Sequence, residues 1–432
     1  MVRRPAVVLA LLTGLNLLNY LDRFVLSAVL PPIEQQLHLS HTESGLLGTI
    51  FLLGYFLTSP IFGALADRGK RTGLIAVGIL IWSVATIASG LATGLVSLAL
   101  ARIFVGVGEA SYATIAPTII DDLAPRGKKS TWLAIFYAAA PIGSALGYVT
   151  GGLVEARFDW RAAFFVAGGP GLLLGIACFF LADPPRKALA KAGPLLDTLK
   201  PLVRIPLYVK AVLGYGAFTF AIGGFGYWGP AYLFQRFGSP TFTLKLANVG
   251  MGAVTVLGGA LGTGLGGLWG DRATRGAGIN PSSGVADTLL SGPPGAAAVV
   301  AHRVSALLKV CAVGSAIGAP FAVLAILSPT PTLFFAAFFL CEVAVFLSTS
   351  PINAAILDSV PPAVRASAMA MSIFGIHVLG DLWSPPGVGL LADHVGMPFA
   401  MLVLPVAIAI SAFLWWPRAS AKTSADLPPT TA

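Results

Sequence analysis

Four ionisable side chains lie inside apolar stretches of this chain. Asp22 and Arg23 interrupt the first stretch, and Arg102 and Glu109 interrupt the fourth. A charged group at the centre of a bilayer is costly, so such residues are retained for function more often than for stability. On a helix, Arg102 and Glu109 are two turns apart on one face. A cationic residue that binds an anion, next to an acidic residue that carries a proton, is an arrangement suited to coupled transport.

Glu109 and Asp22 are our candidates for proton coupling, because a dry cavity disfavours the charged form of a carboxyl group. The alternative is a neutral salt-bridge cluster that joins the two spans. Arg102 is the candidate anchor for an anionic head group, with Arg23 as a second binding residue, because a guanidinium binds phosphate or carboxylate through paired hydrogen bonds. Arg102 has an alternative role too, compensation of Asp22 or Glu109.

Other candidate binding residues lie in later spans. His377 and Asp381 are one helical turn apart and can form a hydrogen bond, although a purely structural histidine is the alternative. No second His or Cys lies at ligand spacing, so we predict no metal site. Tyr112 and Tyr137 are expected to line the substrate cavity. The role of the further buried acid Glu342 stays open.

The composition indicates a membrane protein. Hydrophobic residues make up 56% of the 432 residues and charged residues only 10%, whereas a soluble domain has about 25% charged residues. Spans of about 20 apolar residues cross a bilayer. We predict an all-α fold with twelve such spans, near residues 6–30, 43–66, 72–92, 95–121, 129–154, 161–182, 207–235, 243–270, 302–328, 331–358, 364–392 and 396–417.

The basic residues predict the orientation, since short cytoplasmic loops carry an excess of Lys and Arg. Of the 27 basic residues, 21 fall on one side if the termini are cytoplasmic, four fall on the other side and two lie within spans. Both termini are therefore predicted to be cytoplasmic. The same pattern explains the net charge of +9 without nucleic acid, since no basic-aromatic surface module is present.

An internal repeat divides the chain. The turn Gly63–Arg68 recurs as Gly267–Arg272, so each half carries the same turn after its second span. We predict an N-terminal bundle (1–182), a cytoplasmic linker (183–206), a C-terminal bundle (207–417) with a cytoplasmic insertion (272–301), and a disordered tail (418–432).

Two six-helix halves with these turns resemble the major facilitator superfamily, whose substrate path lies between the halves. The resemblance implies a cytoplasmic gate in which acidic and basic residues of the turns pair with neighbouring helix ends. In this chain Lys70 replaces the usual Gly and Thr72 a usual basic residue. The implied gate residues are Asp67, Arg68, Arg71, Asp271 and Arg272.

Longer motifs narrow the resemblance to the Spinster transporters. They are Asn16–Arg23, Gly108–Ile120, Phe136–Tyr148 and the His377–Pro385 element. Spinster proteins are lipid transporters that move sphingosine 1-phosphate or lysophospholipids, so the resemblance implies a zwitterionic or anionic single-chain lipid as the substrate. Together with the candidate proton-coupling acids, this predicts a proton-coupled secondary transporter of amphipathic lipids. A transporter of soluble organic anions or drugs is the alternative.

An enzyme is not expected, because no nucleophile elbow, Walker loop or zinc-protease motif is present. We expect no cofactor and no nucleic-acid partner. A monomer is expected, in contact with protons, the lipid substrate and membrane lipids. The abundance of Ala and Gly together with the short loops favours a bacterial inner membrane as its location.

Overall fold

The computed structural model describes residues 4–125, 128–184, 202–275, 296–360 and 364–417, and the ordered elements in these ranges are helices. The predicted tail lies outside the described residues, as do most of the predicted linker and most of the predicted insertion. Eleven segments of the described chain are helical, long and apolar enough to cross a bilayer. This count is one short of the twelve spans predicted.

The described part of the first half contains seven helices. They are α1 (Pro5–Ala28), α2 (Leu30–Leu37), α3 (His41–Arg68), α4 (Arg71–Gly90), α5 (Leu95–Leu123), α6 (Lys129–Glu155) and α7 (Trp160–Cys178).

The other helices of the described chain lie in the second half. They are α8 (Pro206–Phe237), α9 (Leu244–Arg275), α10 (Ala296–Leu327), α11 (Pro331–Phe346), α12 (Thr349–Asp358), α13 (Arg365–Ile376), α14 (Ser384–Val395), α15 (Met397–Ala400) and α16 (Val403–Trp415).

The predicted span 364–392 is a broken helix. A π-helical turn, His377–Asp381, separates α13 from α14, and neither helix alone is long enough to span the bilayer. A π-turn widens the helix by one residue, and such turns occur often at functional sites. This break explains why eleven rather than twelve continuous segments meet the length criterion.

Local sequence sets where several helices begin. Ser40 and Glu43 form a reciprocal capping box at the start of α3, which satisfies backbone N–H groups that have no partner within the helix. Asp159 accepts a hydrogen bond from the Ala162 N–H at the start of α7, and Thr330 does the same for Leu333 at α11. These helices therefore start where short polar side chains stand.

Each half is a helical bundle, and the described parts of the halves meet mainly along three helix pairs: α3 with α14, α6 with α9, and α1 with α8. The first pair is in close contact. A Cβ on Gly45 would lie 2.4 Å from the Pro385 carbonyl oxygen, and one on Gly389 would lie 2.2 Å from the carbonyl oxygen of His41. Glycine at both positions lets the backbones approach.

Hydrogen bonds between the halves cluster at the end opposite the basic loops, which we term the outer end. The Asn248 amide donates to the Ala28 carbonyl (2.8 Å), and the Tyr227 hydroxyl donates to the Ser44 carbonyl. Towards the other end, termed the inner end, α13 packs mainly against α8 and α12 of its own half. The structure is therefore closed at the outer end and faces inward.

Candidate functional site

A cavity of about 370 Å³ lies between the two halves. Helices α1, α3 and α5 supply its wall on one side, and α8, the π-turn and α14 supply the other. Its lining combines aromatic and aliphatic side chains with four ionisable groups, as is usual for small-molecule sites. The ionisable and aromatic lining residues are Arg23, Arg102, His377, Asp381, Tyr20, Phe24, Phe51, Tyr215, Phe218 and Tyr227.

An ion pair joins α1 to α5 at the cavity wall. The Arg23 Nε donates to Glu109 Oε2 over 2.6 Å, and the Glu109 side chain is fully buried while that of Arg23 is 22% exposed. The Arg23 guanidinium also lies 5.1 Å from the ring centroid of Tyr20 and 5.4 Å from that of Tyr55. Arg23 therefore neutralises Glu109 while one part of its side chain stays open to the cavity.

Asp22 faces away from the cavity, although it adjoins Arg23 in sequence. Its carboxylate is buried and accepts a hydrogen bond from the Thr86 hydroxyl of α4 through Oδ2, while Oδ1 has no hydrogen-bond partner among the described residues. The charges of Arg102, Glu109 and Arg23 all act on it. Asp22 thus belongs to the same electrostatic cluster without touching the cavity.

Arg102 is the cation with the fewest partners in this cluster. Its side chain is 2% exposed, and its Nε and Nη1 have no hydrogen-bond acceptor in the described part of the chain. The guanidinium lies 4.9 Å from the ring centroid of Phe51, which also packs against Arg23 at 5.1 Å. Phe51 is therefore shared by two cations, and Arg102 retains N–H donors for an anion.

The second half contributes a His–Asp pair from the π-turn. His377 Nδ1 lies 2.8 Å from Asp381 Oδ1 and 2.9 Å from Oδ2, and both residues line the cavity. The Phe56 ring of α3 packs against His377 at 5.6 Å between centroids and against Phe374 at 6.0 Å. The hydrogen bond expected from sequence forms, and the carboxylate orients the imidazole.

The two tyrosines assigned to the cavity lie elsewhere. Tyr112 is completely buried; its hydroxyl donates to the Leu12 carbonyl, and its ring packs on Trp82. Ten residues beyond Arg102, it is turned about 80° around the helix axis from that residue. Tyr137 is half exposed and packs on Phe136. Neither is among the residues that line this cavity, so the assignment of Tyr112 is corrected to a packing role.

Several residues that sequence reasoning missed do belong to the site. Thr86 binds the Asp22 carboxylate, and Phe51 lies between the two arginines. Tyr20 and Tyr227 also line the cavity. Nothing in the sequence distinguishes Thr86, because a lone threonine in an apolar helix more often forms a hydrogen bond with its own backbone.

Arg71, one of the implied gate residues, pairs within its own half. It is buried and binds Asp122 (2.6 Å) on α5 and Asp183 (3.2 Å) just after α7. A related network ties Arg303 of α10 to Asp358 of α12 (2.8 Å). In this inward-facing structure, Arg71 therefore ties helix ends together inside a bundle rather than across the gate.

The other implied gate residues are exposed at the inner end of the molecule. Asp67 and Arg68 end α3, and Asp271 and Arg272 lie in the last turns of α9. The buried acid Glu342 is a separate case: it lies on α11, is 4% exposed and does not line the cavity. Its Cβ lies so close to α9 that a Cβ added to Gly258 would be 2.7 Å away. The gate roles of the four exposed residues at the inner end therefore remain predictions.

Comparison with known proteins agrees with this architecture. The family model described as Major Facilitator Superfamily matches residues 12–292. The chain is 33% identical over 95% of its length to the Arabidopsis thaliana protein named "Probable sphingolipid transporter spinster homolog 2", covering 86% of that protein. It is 35% identical over 91% of its length to the human "Protein spinster homolog 1", covering 74% of it.

Solved structures share the fold. A bacterial homologue of the human lysosomal transporter Spinster, in an inward-facing and unoccupied conformation, superposes with a TM-score of 0.80 at 22% identity, over 95% of this chain and 96% of that one. A D-xylose–proton symporter gives a TM-score of 0.73 at 17% identity, over 94% and 96% of the two chains. At such identities the likeness concerns the fold alone.

Proposed function

Because the chain belongs to the Spinster family of the major facilitator superfamily, and is therefore a multi-pass membrane transporter, we propose which substrate it carries and what drives it. The proposed substrate is a single-chain amphipathic lipid with an anionic or zwitterionic head, such as a lysophospholipid or a sphingosine 1-phosphate-like molecule. The proposed driving force is a proton gradient, used through alternating access.

The observation that carries the proposal is the state of Arg102. A buried guanidinium with two nitrogens that have no acceptor is unfavourable on its own, yet this one lies at the wall of a cavity. Both nitrogens are buried just behind the cavity wall, so the proposed phosphate or carboxylate accepts their N–H groups once the guanidinium turns towards the cavity, and it then neutralises the charge. The site is thus arranged for an anion that enters from the cavity.

The remainder of the lining supports a lipid tail. Phe24, Leu26, Phe218, Ile222 and Ile376 line the same cavity as Arg102. A soluble organic anion gains little from such a surface, whereas an acyl or sphingoid chain gains about 0.8 kcal/mol for each buried methylene. A charged group at one position and apolar walls elsewhere match a molecule with one head and one tail.

The ion pair of Arg23 and Glu109 supports proton coupling. While Glu109 is ionised, it holds Arg23. Protonation of Glu109 removes that attraction and frees the Arg23 guanidinium, which lines the cavity beside Arg102. A head group between the two arginines and a proton on Glu109 therefore favour each other, which is the reciprocal linkage that coupled transport needs.

The test is uptake of labelled lysophospholipids and sphingoid phosphates into proteoliposomes, with and without a pH gradient. We expect accumulation that needs the gradient and is lost in Arg102→Ala, while Arg157→Gln, an exposed arginine between α6 and α7, transports like the parent. Uptake of soluble organic anions but not of lipids, under the same gradient, would support the alternative substrate class instead.

A further inference from the structure

A second groove lies far from the central cavity, at the inner end of the C-terminal half. It has a volume of about 640 Å³ and is formed by α9, α10 and the residues that follow α16. One face of α10 makes its floor, and a tryptophan stands on each side. The residues that matter for its chemistry are Trp269, His302, Ser305, Lys309, Val313 and Trp416.

The polar floor residues form one line along the helix. His302, Ser305 and Lys309 follow the spacing i, i+3 and i+7, which places them on one face of α10. His302 and Lys309 are exposed, and neither side chain forms an ion pair or hydrogen bond among the described residues. No acidic side chain contributes to the described wall of the groove. The floor therefore offers one positive charge and further donors, with no anion supplied by the described protein.

The depth of these residues matches that of lipid head groups. The apolar part of α10 spans Val300–Leu327, about 42 Å at 1.5 Å per residue, which exceeds the hydrocarbon thickness of about 30 Å. Counting about 20 residues back from Leu327 reaches the position next to Lys309. The ammonium group thus lies at the edge of the hydrocarbon, with His302 about 10 Å further out.

The flanking aromatic residues fit the same depth. Trp269 and Trp416 are 39% and 48% exposed, and indole rings at a bilayer surface insert their apolar part and keep the N–H in the head-group layer. Val313, one turn deeper than Lys309, continues the groove into the apolar region. The groove therefore has a polar end at head-group level and an apolar end below it.

We propose that this groove binds an anionic phospholipid of the cytoplasmic leaflet, with its phosphate held by Lys309, His302 and Ser305 and its acyl chain along Val313 between the two tryptophans. Basic pockets between transmembrane helices on the cytoplasmic side are suited to such lipids. The lipid would be a resident partner of the C-terminal half rather than the transported molecule.

The test is native mass spectrometry of the full-length protein incubated with phosphatidylglycerol or with phosphatidylcholine. We expect the parent to retain phosphatidylglycerol in preference. Lys309→Gln should lower its retention about fivefold, because one cation near the head group contributes a factor of about this size. The double variant Lys309→Gln, His302→Gln should lower it further, because it also removes a hydrogen-bond donor. Lys245→Gln, an exposed lysine near the outer end, should match the parent.

Four outcomes would overturn the proposal. One is equal retention of the two lipids, and another is an unchanged preference in the double variant. A third is a preference that disappears in Arg102→Lys but not in Lys309→Gln, which would place the lipid in the central cavity. The fourth is retention that appears only after deletion of residues 276–295, which would make that segment the occupant. Circular dichroism verifies that each variant is folded.

Discussion

At the scale of single residues, the four charged side chains within the predicted spans interact mainly between helices α1 and α5 rather than within one helix. Arg23 of α1 binds Glu109 of α5, and the charge of Arg102 on α5 acts back on Asp22 of α1. Glu109 is thereby paired with a base on the other helix, whereas Asp22 has no ion pair among the described residues and is affected by Arg102 only at longer range. Changing one charge consequently alters the balance of both helices, which is the property that a proton-coupled site requires.

We predict that Glu109→Gln and Asp22→Asn each abolish gradient-driven accumulation. Each amide keeps the shape of the acid but does not exchange a proton. Both variants should still exchange labelled for unlabelled substrate across the membrane without a gradient, because the head-group anchor remains. Glu155→Gln, at the outer end of α6, serves as control. Parental accumulation in both variants would remove these residues from the coupling mechanism.

We predict that Arg102→Ala weakens lipid binding by about 2 to 5 kcal/mol, since it leaves the anionic head unpaired in a desolvated site. Arg102→Lys should weaken it less but measurably, because an ammonium lacks the paired donors of a guanidinium. Isothermal titration with a lysophospholipid measures both. A thermal-unfolding comparison separates loss of binding from loss of stability, and unchanged affinity in Arg102→Ala would leave this arginine a structural role alone.

The sequence indicated which residues form the charge cluster but not how they pair. Arg102 and Glu109 were expected to share a face because they are seven residues apart, yet Glu109 bonds Arg23, 86 positions away in the chain. Spacing along one helix carries no information about how a neighbouring helix is rotated. Tyr112 differs, because its spacing of ten residues from Arg102 already turns it about 80° around the helix axis, and the packing of α5 on α4 shows that it faces Trp82.

At the scale of helices, one carboxylate joins the halves at the outer end. Asp393, in the last turn of α14, accepts hydrogen bonds from the backbone N–H groups of His41 and Thr42 (both 2.9 Å) and from the Thr42 hydroxyl (2.6 Å). These N–H groups begin α3 and have no partner within that helix. Asp393 therefore caps a helix of the opposite half.

We predict that Asp393→Asn shifts the protein towards the outward-open state by roughly fivefold, because a charge-assisted cap contributes about 1 kcal/mol at an exposed site. Spin labels on the outer ends of α3 and α14 would report a longer distance. The matched control is Asp159→Asn, which weakens the same kind of cap on α7 without crossing between halves. If both variants gave the parental distance distribution, this cap would contribute nothing to the closed outer end.

This cap should not respond to physiological pH. Partial burial raises the pKa of Asp393, but hydrogen bonds from Thr42 and from the His41 N–H outweigh it and hold the pKa below its usual value of 3.8. A group with a depressed pKa stabilises the structure above its unfolded value and loses that effect as the pH falls through the folded value. A pH dependence of transport near neutrality must therefore arise elsewhere.

Hydropathy predicted the positions of the spans better than it predicted the helical structure within each span. The stretch 364–392 reads as one span, yet it consists of α13, the π-turn and α14. A hydropathy window sums apolar character and does not register one residue added to a helical turn. The His377–Asp381 hydrogen bond was nevertheless expected, because residues four apart meet in an ordinary helical turn and in a slightly widened one.

At the scale of the whole molecule, the two repeated turns allow a prediction that needs no knowledge of the substrate. We predict that Asp67→Asn and Asp271→Asn each favour the inward-open state by about 1 to 3 kcal/mol, or about 5- to 150-fold in population. The reason is that both charges are expected to stabilise the closed inner gate of the outward-open state.

Labelling of a single cysteine placed in the cavity measures that shift, with faster reaction from the cytoplasm and slower reaction from outside. The native cysteines Cys178, Cys311 and Cys341 are buried, so the introduced thiol dominates. Asp159→Asn, whose carboxylate caps a helix at the outer end, should label like the parent. If both variants were labelled at the parental rates from each side, Asp67 and Asp271 would have no role in the gate, and the two turns would only end their helices.

The sequence predicted the two-part plan of the molecule from the repeated turn. It carried no information about the conformational state, because the same residues serve both the inward- and outward-facing arrangements and differ only in which contacts are made. The inward-facing conformation follows from contacts such as the hydrogen bond from Asn248 to Ala28. These contacts join residues 220 positions apart in the chain, so no local sequence pattern predicts them.

The position of Arg102 along α5 has a consequence for the path of a lipid. Arg102 lies seven residues from the outer end of that helix, a depth of about 10 Å. If the substrate is the lipid proposed above and the termini are cytoplasmic as predicted, a molecule that enters from the open inner side and reaches this anchor must travel head first, with its tail towards the cytoplasm. The bound molecule then already points the way that lipids of the outer leaflet point. The lipid would therefore adopt its final orientation when it enters the cavity. Opening of the outer end would then only have to release it.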